Sequence, residues 1–597
     1  MESRIMNRRD LDFLLYELLD VDALSSRVRH EDHGRDTIAA MLDTAEAMAE
    51  TDFAPNNRKA DENEPRFENG RVTQIPETGE SLRRFSEAGF MAALGDERWG
   101  GIQMPFTVNM AINAVFSAAN ISTMAYAFLT QSAANMLETF GSGEQKERFL
   151  PRMLSGEFFG TMCLTEPQAG SSLSDIRTTA APQADGSYRI TGNKIYISGG
   201  EQAITSNIVH LVLARIKDAP PGVKGISLFL VPKVLVNDDG SLGERNDVSL
   251  AGLIHKMGYR GTTSTMLNFG EREGAVGWLI GEPHKGLSYM FQMMNEARVI
   301  VGNGAAALAC TGYLHSLAYA RERVQGRPAA AKDPTAPPVP IIKHPDVRRM
   351  LVAQKAYAEG ALALTLFAAR LVDEWRTGET EEARSGAHQL LELLTPVAKS
   401  WPSQWGLEAN SLAIQVHGGY GYTREYPVEQ IYRDNRLNPI HEGTHGIQAL
   451  DLLGRKVRMD DGAAFERLCA LMVETADAAR AHPGLVEFSD ALADTVERAR
   501  LTTAALRANM TETVLGNASV YLEMLGHVVV AWLWLKQAVV ACDALAADPH
   551  EADRAFYAGK LAACRYFFRW ELPKTGPQLD RLAAVDDTWF AMAEDHF

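Results

Sequence analysis

The spacing of apolar residues changes twice along this chain of 597 residues, and that change limits the folds open to it. From residue 1 to about 160 the apolar residues recur at helical spacing. Short β-branched runs bounded by turn residues then predict strands at 188–198, 208–216 and 225–236. Helical spacing returns after about residue 280 and continues to the last residues. The sequence therefore predicts an α+β protein in which a β region separates two helical regions.

The length predicts several domains, because 597 residues exceed what one hydrophobic core organises. The predicted boundaries are a helical domain at 1–160, a β domain at 161–280, a helical bundle at 281–460 and an additional helical domain at 461–597. Segment 326–345 contains six prolines and is predicted to be a loop inside the bundle, because the helical pattern resumes directly after it.

Composition narrows the possible partners and the compartment. The net charge of −17 argues against a nucleic-acid partner, which requires basic stripes. Five widely spaced cysteines without a CxxC pair favour a reducing compartment and no structural zinc, so no metal site is expected. The first residues lack an apolar signal core, so we expect a cytoplasmic protein. The most apolar run, 528–535, is far shorter than the roughly 20 residues that span a bilayer, which predicts a buried helix and no membrane-spanning segment.

Two segments in the second helical region carry the clearest functional signal. Residues 441–448 read His-Glu-Gly-Thr-His-Gly-Ile-Gln, and residues 416–421 read Val-His-Gly-Gly-Tyr-Gly. A lone carboxylate, Glu442, at the start of a helical pattern and after a glycine-rich turn suggests a base that faces a cofactor. Desolvation in a dry pocket would raise the pKa of this carboxylate toward neutrality and make it a stronger base.

A third segment, 162–171, reads Met-Cys-Leu-Thr-Glu-Pro-Gln-Ala-Gly-Ser and is predicted to form a loop after a strand. Its small residues leave backbone N–H groups free to face a planar or anionic ligand. An ordinary β-turn loop is the alternative.

These three segments and four others, taken in their order along the chain, resemble the motifs of acyl-CoA dehydrogenases, the flavoenzymes that oxidise a fatty acyl thioester between its α and β carbons. The others are Lys-Ile-Tyr-Ile-Ser-Gly-Gly at 194–200, Lys-Met-Gly-Tyr-Arg-Gly-Thr-Thr-Ser at 256–264, Asn-Glu-Ala-Arg at 295–298, and Tyr-Ala-Arg-Glu-Arg-Val-Gln-Gly-Arg at 319–327. The resemblance covers residues 1 to about 460. It implies an amino-terminal helical domain, a middle β-barrel and a carboxy-terminal helical bundle. The added helical domain is similar to that of extended bacterial members, such as long-chain and methylthiopropanoyl-CoA dehydrogenases.

The resemblance implies that Glu442 is the catalytic base that takes the α-proton of the substrate. His441 before it would tune the base or simply line the pocket. Some relatives place their base on an earlier helix, at the position of Ala297, where alanine cannot act and Glu296 lies on another face. The substrate-binding residues implied are Ser171, Asn295, Arg298 and Gly443. For Arg298, the alternative is a surface salt bridge on the face of a helix.

The cofactor implied is FAD. The residues implied to contact it are Thr165, Ser171, Tyr196, Ser198, Arg323, Gln415, Gly418, Gly419 and Thr444. For 194–200, the alternative is an ordinary strand in which Tyr and Ser alternate on one face and do not bind FAD. The chain departs from the family pattern at Ser172, Gln325 and Gly446, where aspartate, phenylalanine and glutamine are usual. Arg323 and residues 415–419 match positions that meet FAD across a subunit interface, which implies a homodimer.

The reaction implied is conversion of a fatty acyl-CoA, of medium to long chain, to a trans-2-enoyl-CoA in β-oxidation, with electrons passed to electron-transfer flavoprotein. An acyl-CoA oxidase and a 3-methylthiopropanoyl-CoA dehydrogenase are alternatives, and a non-enzymatic scaffold of the same fold is a third. Helices in the added domain are expected to cover a face of the bundle that shorter relatives bury by forming tetramers.

Overall fold

The computed structural model describes residues 3–328, 330 and 335–597, and of residues 291–294 it describes the backbone only. The chain forms two compact units, one of Leu24–Ala297 and one of Met1–Ala23 with Arg298–Phe597. Part of the predicted loop at 326–345 lies outside the described residues. Its described part is irregular apart from a short 3₁₀ turn at Ile341–Lys343, so the predicted loop is confirmed where it is described.

Helices precede the sheet, as predicted. They are α1 (Arg8–Asp12), α2 (Arg35–Met48), α3 (Ala54–Glu62), α4 (Pro76–Glu87), α5 (Phe106–Phe140) and α6 (Gly143–Leu154). Helix α5 is buried on nearly all sides and bends at Asn120, where φ is −161° and ψ is 86°. The Asn120 side chain accepts a hydrogen bond from the backbone N–H of Thr123 at 3.0 Å. Asn120 thereby caps the second half of α5, which explains how one long apolar stretch accommodates a bend.

The strands are β1 (Arg66–Glu68), β2 (Arg71–Thr73), β3 (Phe158–Cys163), β4 (Thr179–Pro182), β5 (Tyr188–Ser198), β6 (Asn207–Ile216), β7 (Ile226–Pro232), β8 (Val234–Val236), β9 (Leu242–Arg245), β10 (Val248–Leu253), β11 (Ser264–Phe269) and β12 (Ala275–Ile280). Strands β5, β12, β7 and β6 are antiparallel neighbours in that order. Strand β4 pairs with both β5 and β6 and so closes these strands into a ring. The predicted middle β-barrel is confirmed, and its inward positions are apolar, as a closed sheet requires.

One predicted strand is divided. The run at 225–236 forms β7 and β8, which separate at Pro232 and Lys233. Proline lacks the N–H that a continuing ladder needs. The Asn207 side chain then accepts from the N–H of Val234 at 2.9 Å and directs the chain into β8.

Helices occupy the rest of the chain. They are α7 (Gly286–Glu322), α8 (Pro345–Thr377), α9 (Glu381–His417), α10 (Val428–Asn435), α11 (His445–Gly454), α12 (Ala463–Ala479), α13 (Val486–Ala508), α14 (Glu512–Gly516), α15 (Ala518–Ala546), α16 (Glu551–Tyr566) and α17 (Thr575–Ala584). Helices α8 and α9 pack along their length, and α11 packs on α9. Helix α9 contacts the turn that carries Glu442 through Lys399, and α11 begins directly after that turn.

The apolar run at 528–535 is buried inside α15, as predicted. Helix α15 packs against α8, α9, α11, α12 and α16, and the indole N–H of Trp534 donates to the carbonyl of Ala356 in α8 at 3.1 Å. Among the described residues, α5 and α15 are long and apolar enough to cross a membrane by length and composition alone. Their most apolar windows are 94% and 61% buried in protein.

A buried cluster of charges joins the added domain to the bundle. Lys560 of α16 donates to Glu359 of α8 at 2.8 Å and to Gln537 of α15 at 3.0 Å, and it forms an ion pair with Asp10 of α1. Burial raises the pKa of Glu359, but Lys355 and Lys560 outweigh it and hold that pKa below its ordinary value. The added domain is therefore fixed to the bundle by a specific polar contact as well as by apolar burial.

Candidate active site

Glu442 lies in the turn between α10 and α11, on a backbone that is left-handed at two successive residues. The φ angle is +52° at Glu442 and +87° at Gly443. A non-glycine residue seldom adopts a positive φ, and such strain is typical of functional positions. Thr444 ends the turn as the N-cap of α11, because its hydroxyl accepts a hydrogen bond from the N–H of Ile447 at 3.4 Å.

Two fully buried side chains hold the carbonyl groups of this turn. The Gln448 side-chain amide donates to the carbonyl of Glu442 at 2.9 Å, and the Lys399 ammonium donates to the carbonyl of Gly443 at 2.8 Å. A Cβ atom at residue 443 would lie 2.6 Å from the Gln448 amide nitrogen, so a larger residue there would displace this contact. The glycine of the motif is thus required both by its φ angle and by the approach of Gln448.

The electrostatic surroundings of Glu442 suit a general base. Burial raises the pKa of the Glu442 carboxyl, and the opposing charges of Lys399 and Arg298 only partly offset that effect. Burial lowers the pKa of Lys399 to about 7, against the attraction of Glu442. Burial also lowers the pKa of His441 to about 3, so this imidazole is neutral, and it bonds to the Asn438 side chain at 3.0 Å. A carboxylate whose pKa is raised by burial accepts a proton more readily.

The substrate-binding residues predicted on α7 have partners within the protein. Arg298 is buried, and its guanidinium donates to Asp451 of α11 at 2.8 Å. This ion pair links α7 to the helix that follows the base, and it is not the surface salt bridge considered above. In the unit of Leu24–Ala297, Glu296 accepts a hydrogen bond from the Asn135 side chain at 2.7 Å, and Asn295 is buried. This hydrogen bond gives the Glu296 carboxylate a structural role.

The loop at 162–171 is fixed by a buried ion pair that the sequence reasoning missed. The Lys194 ammonium of β5 donates to Glu166 at 2.9 Å and to the carbonyl of Leu164 at 3.0 Å. Glu166 also accepts from the N–H and hydroxyl of Thr178 at 3.0 and 2.6 Å. Burial raises the pKa of Glu166, but Lys194 and these donors outweigh it and lower the pKa to about 2. The sequence did carry a signal for this ion pair, because Glu166 lies in one motif and Lys194 in the next motif along the chain.

Thr165 is held beside strand β5, since its carbonyl accepts from the N–H of Ile195 at 3.0 Å. Tyr196 is 63% exposed with a φ of +59°, and Ser198 ends the strand opposite Ser264 of β11. The exposed Tyr196 ring is therefore free to contact a planar ligand next to the loop.

Ser171 lies on the exposed side of the same loop. Next to it, the Ser172 hydroxyl donates to Asp175 at 2.6 Å. Asp175 thus supplies a carboxylate near the position where the family has aspartate.

The other predicted FAD contacts lie at the end of α9. Gln415, Gly418 and Gly419 are exposed, and a Cβ atom at either glycine would meet nothing within 4 Å. The Arg323 guanidinium lies 5.6 Å from the centre of the Tyr420 ring and donates to Gln325 at 3.1 Å. Open space beside a glycine backbone, next to a cation, fits the approach of a phosphate or an adenine. Gln325 stands where the family usually has phenylalanine, and its side-chain oxygen accepts this hydrogen bond from Arg323.

Comparison with known proteins matches four successive parts of the chain to domains of one family. They are the acyl-CoA dehydrogenase N-terminal domain at 35–157, its middle domain at 161–271, its C-terminal domain at 284–457, and the acetyl-CoA dehydrogenase C-terminal-like domain at 468–593. The broad-specificity linear acyl-CoA dehydrogenase FadE5 of Mycobacterium tuberculosis is 36% identical over 99% of both chains. The chain belongs to the acyl-CoA dehydrogenase family. FAD is the cofactor of this family, in agreement with the prediction from the motifs.

Another relative is the 3-methylmercaptopropionyl-CoA dehydrogenase of Ruegeria pomeroyi, 39% identical over 78% of each chain. Among solved structures, the acyl-CoA dehydrogenase of Bacillus anthracis complexed with FAD is 21% identical with a TM-score of 0.74, covering 96% of this chain and 92% of its own. Its likeness shows that the fold, including the added helical domain, recurs in the family.

Proposed function

We propose that the protein is an FAD-dependent acyl-CoA dehydrogenase in which Glu442 is the catalytic base. The observation that carries this proposal is a carboxylate whose pKa is raised by burial, placed on a left-handed turn that Lys399 and Gln448 hold in one geometry. The carboxylate removes the proton from the α carbon of the acyl thioester, leaving negative charge that the thioester carbonyl must accommodate. Bound FAD supplies the acceptor for the hydride of the β carbon, which completes a trans-2-enoyl-CoA.

The substrate class that we propose is linear fatty acyl-CoA of medium to long chain, used in fatty acid β-oxidation in the cytoplasm. Membership of the family and the name of the mycobacterial relative support it. A second candidate is 3-methylthiopropanoyl-CoA, favoured by the 39% identity to the Ruegeria enzyme. The proposed electron acceptor is electron-transfer flavoprotein, and an oxidase that reacts with O₂ is the alternative.

Anaerobic titration of the purified protein tests this function. The protein is expected to be yellow, and acyl-CoAs of graded chain length should bleach the flavin band to different extents. 3-Methylthiopropanoyl-CoA in the same series decides between the two substrate candidates, and oxygen consumption in air identifies an oxidase. A colourless protein that does not take up FAD when it is supplied would contradict the proposal.

We also propose a homodimer. The surface at Gln415, Gly418 and Gly419 is exposed and lies beside the exposed rings of Tyr420 and Tyr422, which supports burial against a second copy. The added helices already cover faces of α8, α9 and α11, which favours a dimer over a tetramer.

Light scattering is expected to give twice the chain mass of 65.5 kDa.

The variant Gly419→Arg should weaken both the dimer and FAD retention, because a long cationic side chain would fill the open space beside the backbone. Gly484→Arg, at another site without neighbouring atoms, serves as the matched control. An active, FAD-loaded monomer would refute the shared site, and a stable tetramer would refute the role assigned to the added helices.

A further inference from the structure

Lys399 is a fully buried lysine whose charge lies next to the base. It stands inside α9 between Pro396 and Pro402, and its ammonium donates to the carbonyl of Gly443, the residue after Glu442, at 2.8 Å. Burying an ammonium group is costly unless its charge and its donors are used. A neutral donor such as the amide of Gln448 already serves the adjacent carbonyl of the same turn. Hydrogen bonding alone therefore does not account for a charged residue at this place.

The other groups around the base do not replace this charge. Arg298 of α7 is also cationic but is paired with Asp451 at 2.8 Å. His441 and His445 flank the turn, and burial together with Lys399 lowers the pKa of each imidazole. Glu523 of α15 acts on His445 in the opposite direction. Of the two cations that oppose the desolvation of Glu442, Lys399 has the larger effect and Arg298 the smaller.

We propose that Lys399 is a positioning residue for the dehydrogenation reaction: it fixes the left-handed turn through the Gly443 carbonyl and keeps the desolvated Glu442 carboxylate ionised. The proposal rests on the proposed function, because it assigns Lys399 a role through Glu442. It requires no contact between Lys399 and substrate or cofactor.

The sign of the expected pH dependence follows from the charges. While Lys399 is protonated, its charge favours the ionised carboxylate and lowers the pKa of Glu442. Removing the charge should raise that pKa further, by about 1 unit, the order of the effect that a nearby opposite charge has on a carboxylate. The acidic limb of the pH–rate profile should then move to higher pH. Below this limb the variant should react about tenfold more slowly than the natural protein at the same pH.

Lys399→Met removes both the charge and the donor, whereas Lys399→Gln keeps a donor without the charge. Flavin bleaching under single-turnover conditions gives the pH–rate profile of each. Infrared difference titration follows the carboxyl band that is absent in Glu442→Gln, which measures the pKa of the base without turnover. Lys456→Met is the matched control, because Lys456 is a buried lysine of the same unit that pairs with Glu392.

The expected result is an upward pKa shift in both Lys399 variants and none in Lys456→Met. Lys399→Gln should recover part of the plateau rate that Lys399→Met loses, because only the former keeps a donor for Gly443. If Lys399→Met does not fold, the shift in Lys399→Gln alone decides. Unchanged profiles and carboxyl pKa in a folded, FAD-loaded Lys399 variant would overturn the inference while Glu442→Gln remained inactive. Activity in Glu442→Gln would instead overturn the assignment of the base.

Discussion

Replacing Glu442 with glutamine should lower the rate of acyl-CoA dehydrogenation by at least about 10²-fold, the usual loss when a general base is removed. Glutamine keeps the size of the side chain but cannot accept the α-proton. The Gln448 and Lys399 side chains donate to backbone carbonyl groups of the turn, and these groups are unchanged by the substitution. The fold around residue 442 should therefore remain intact. Anaerobic bleaching by an acyl-CoA measures the rate, and the visible spectrum reports FAD content.

Glu296→Gln is the control for this experiment. Glu296 is buried and accepts from the Asn135 side chain, a bond that a glutamine oxygen can also accept. Near-normal turnover is therefore expected in Glu296→Gln. Loss of turnover in Glu296→Gln with retention in Glu442→Gln would show that the base lies on α7.

Lys560→Met should reduce the free energy of unfolding of its unit by about 3–5 kcal/mol, because it leaves the buried Asp10 carboxylate without this partner and Glu359 with Lys355 alone. Lys560 is fully buried between Asp10 and Glu359, so water cannot replace it. Chemical denaturation followed by tryptophan fluorescence reports the change, since Trp534 of α15 is buried and within cation–π distance of Lys560.

Arg569→Met is the control for the buried lysine. Arg569 pairs with Glu487 in the same added domain, but the two side chains are 54% and 58% exposed. Exposed pairs contribute about 0–1 kcal/mol, so this variant should unfold close to the natural protein. Adding Asp10→Asn to Lys560→Met should restore part of the loss, because it removes the buried charge that Lys560 pairs with. Equal effects of Lys560→Met and Arg569→Met would mean that the buried cluster does not hold the added domain in place.

Local patterns in the sequence predict much of this fold. The alternating residues of 188–198 and the turn residues around them predict β5 with its observed bounds, and the apolar run at 528–535 predicts a buried helix. Two local irregularities were not predicted from the sequence: the bend of α5 at Asn120 and the interruption after Pro232. Both depend on one side chain or one missing N–H within an otherwise regular pattern.

Contacts between distant residues carried no local signal. Lys399 and Gly443 are 44 positions apart, and Lys560 and Glu359 are 201 positions apart. A lysine in a helical sequence usually reads as a solvated residue, so neither buried lysine could be recognised without the packing around it. The resemblance to the family identified Glu442 and the loops expected to contact the flavin. It did not identify the side chains, such as Lys399 and Lys194, that fix these segments in place.

The position of Asp10 in the charge cluster has a consequence for synthesis on the ribosome. Its unit combines Met1–Ala23 with Arg298–Phe597, whereas Leu24–Ala297 forms a unit by itself. Domains generally fold as they emerge, in order from the amino terminus. Here α1 is translated before Leu24–Ala297 but has to wait until Lys560 and the helices around it have been made. The unit Leu24–Ala297 can therefore complete its own contacts while α1, made before it, still lacks the partner of Asp10.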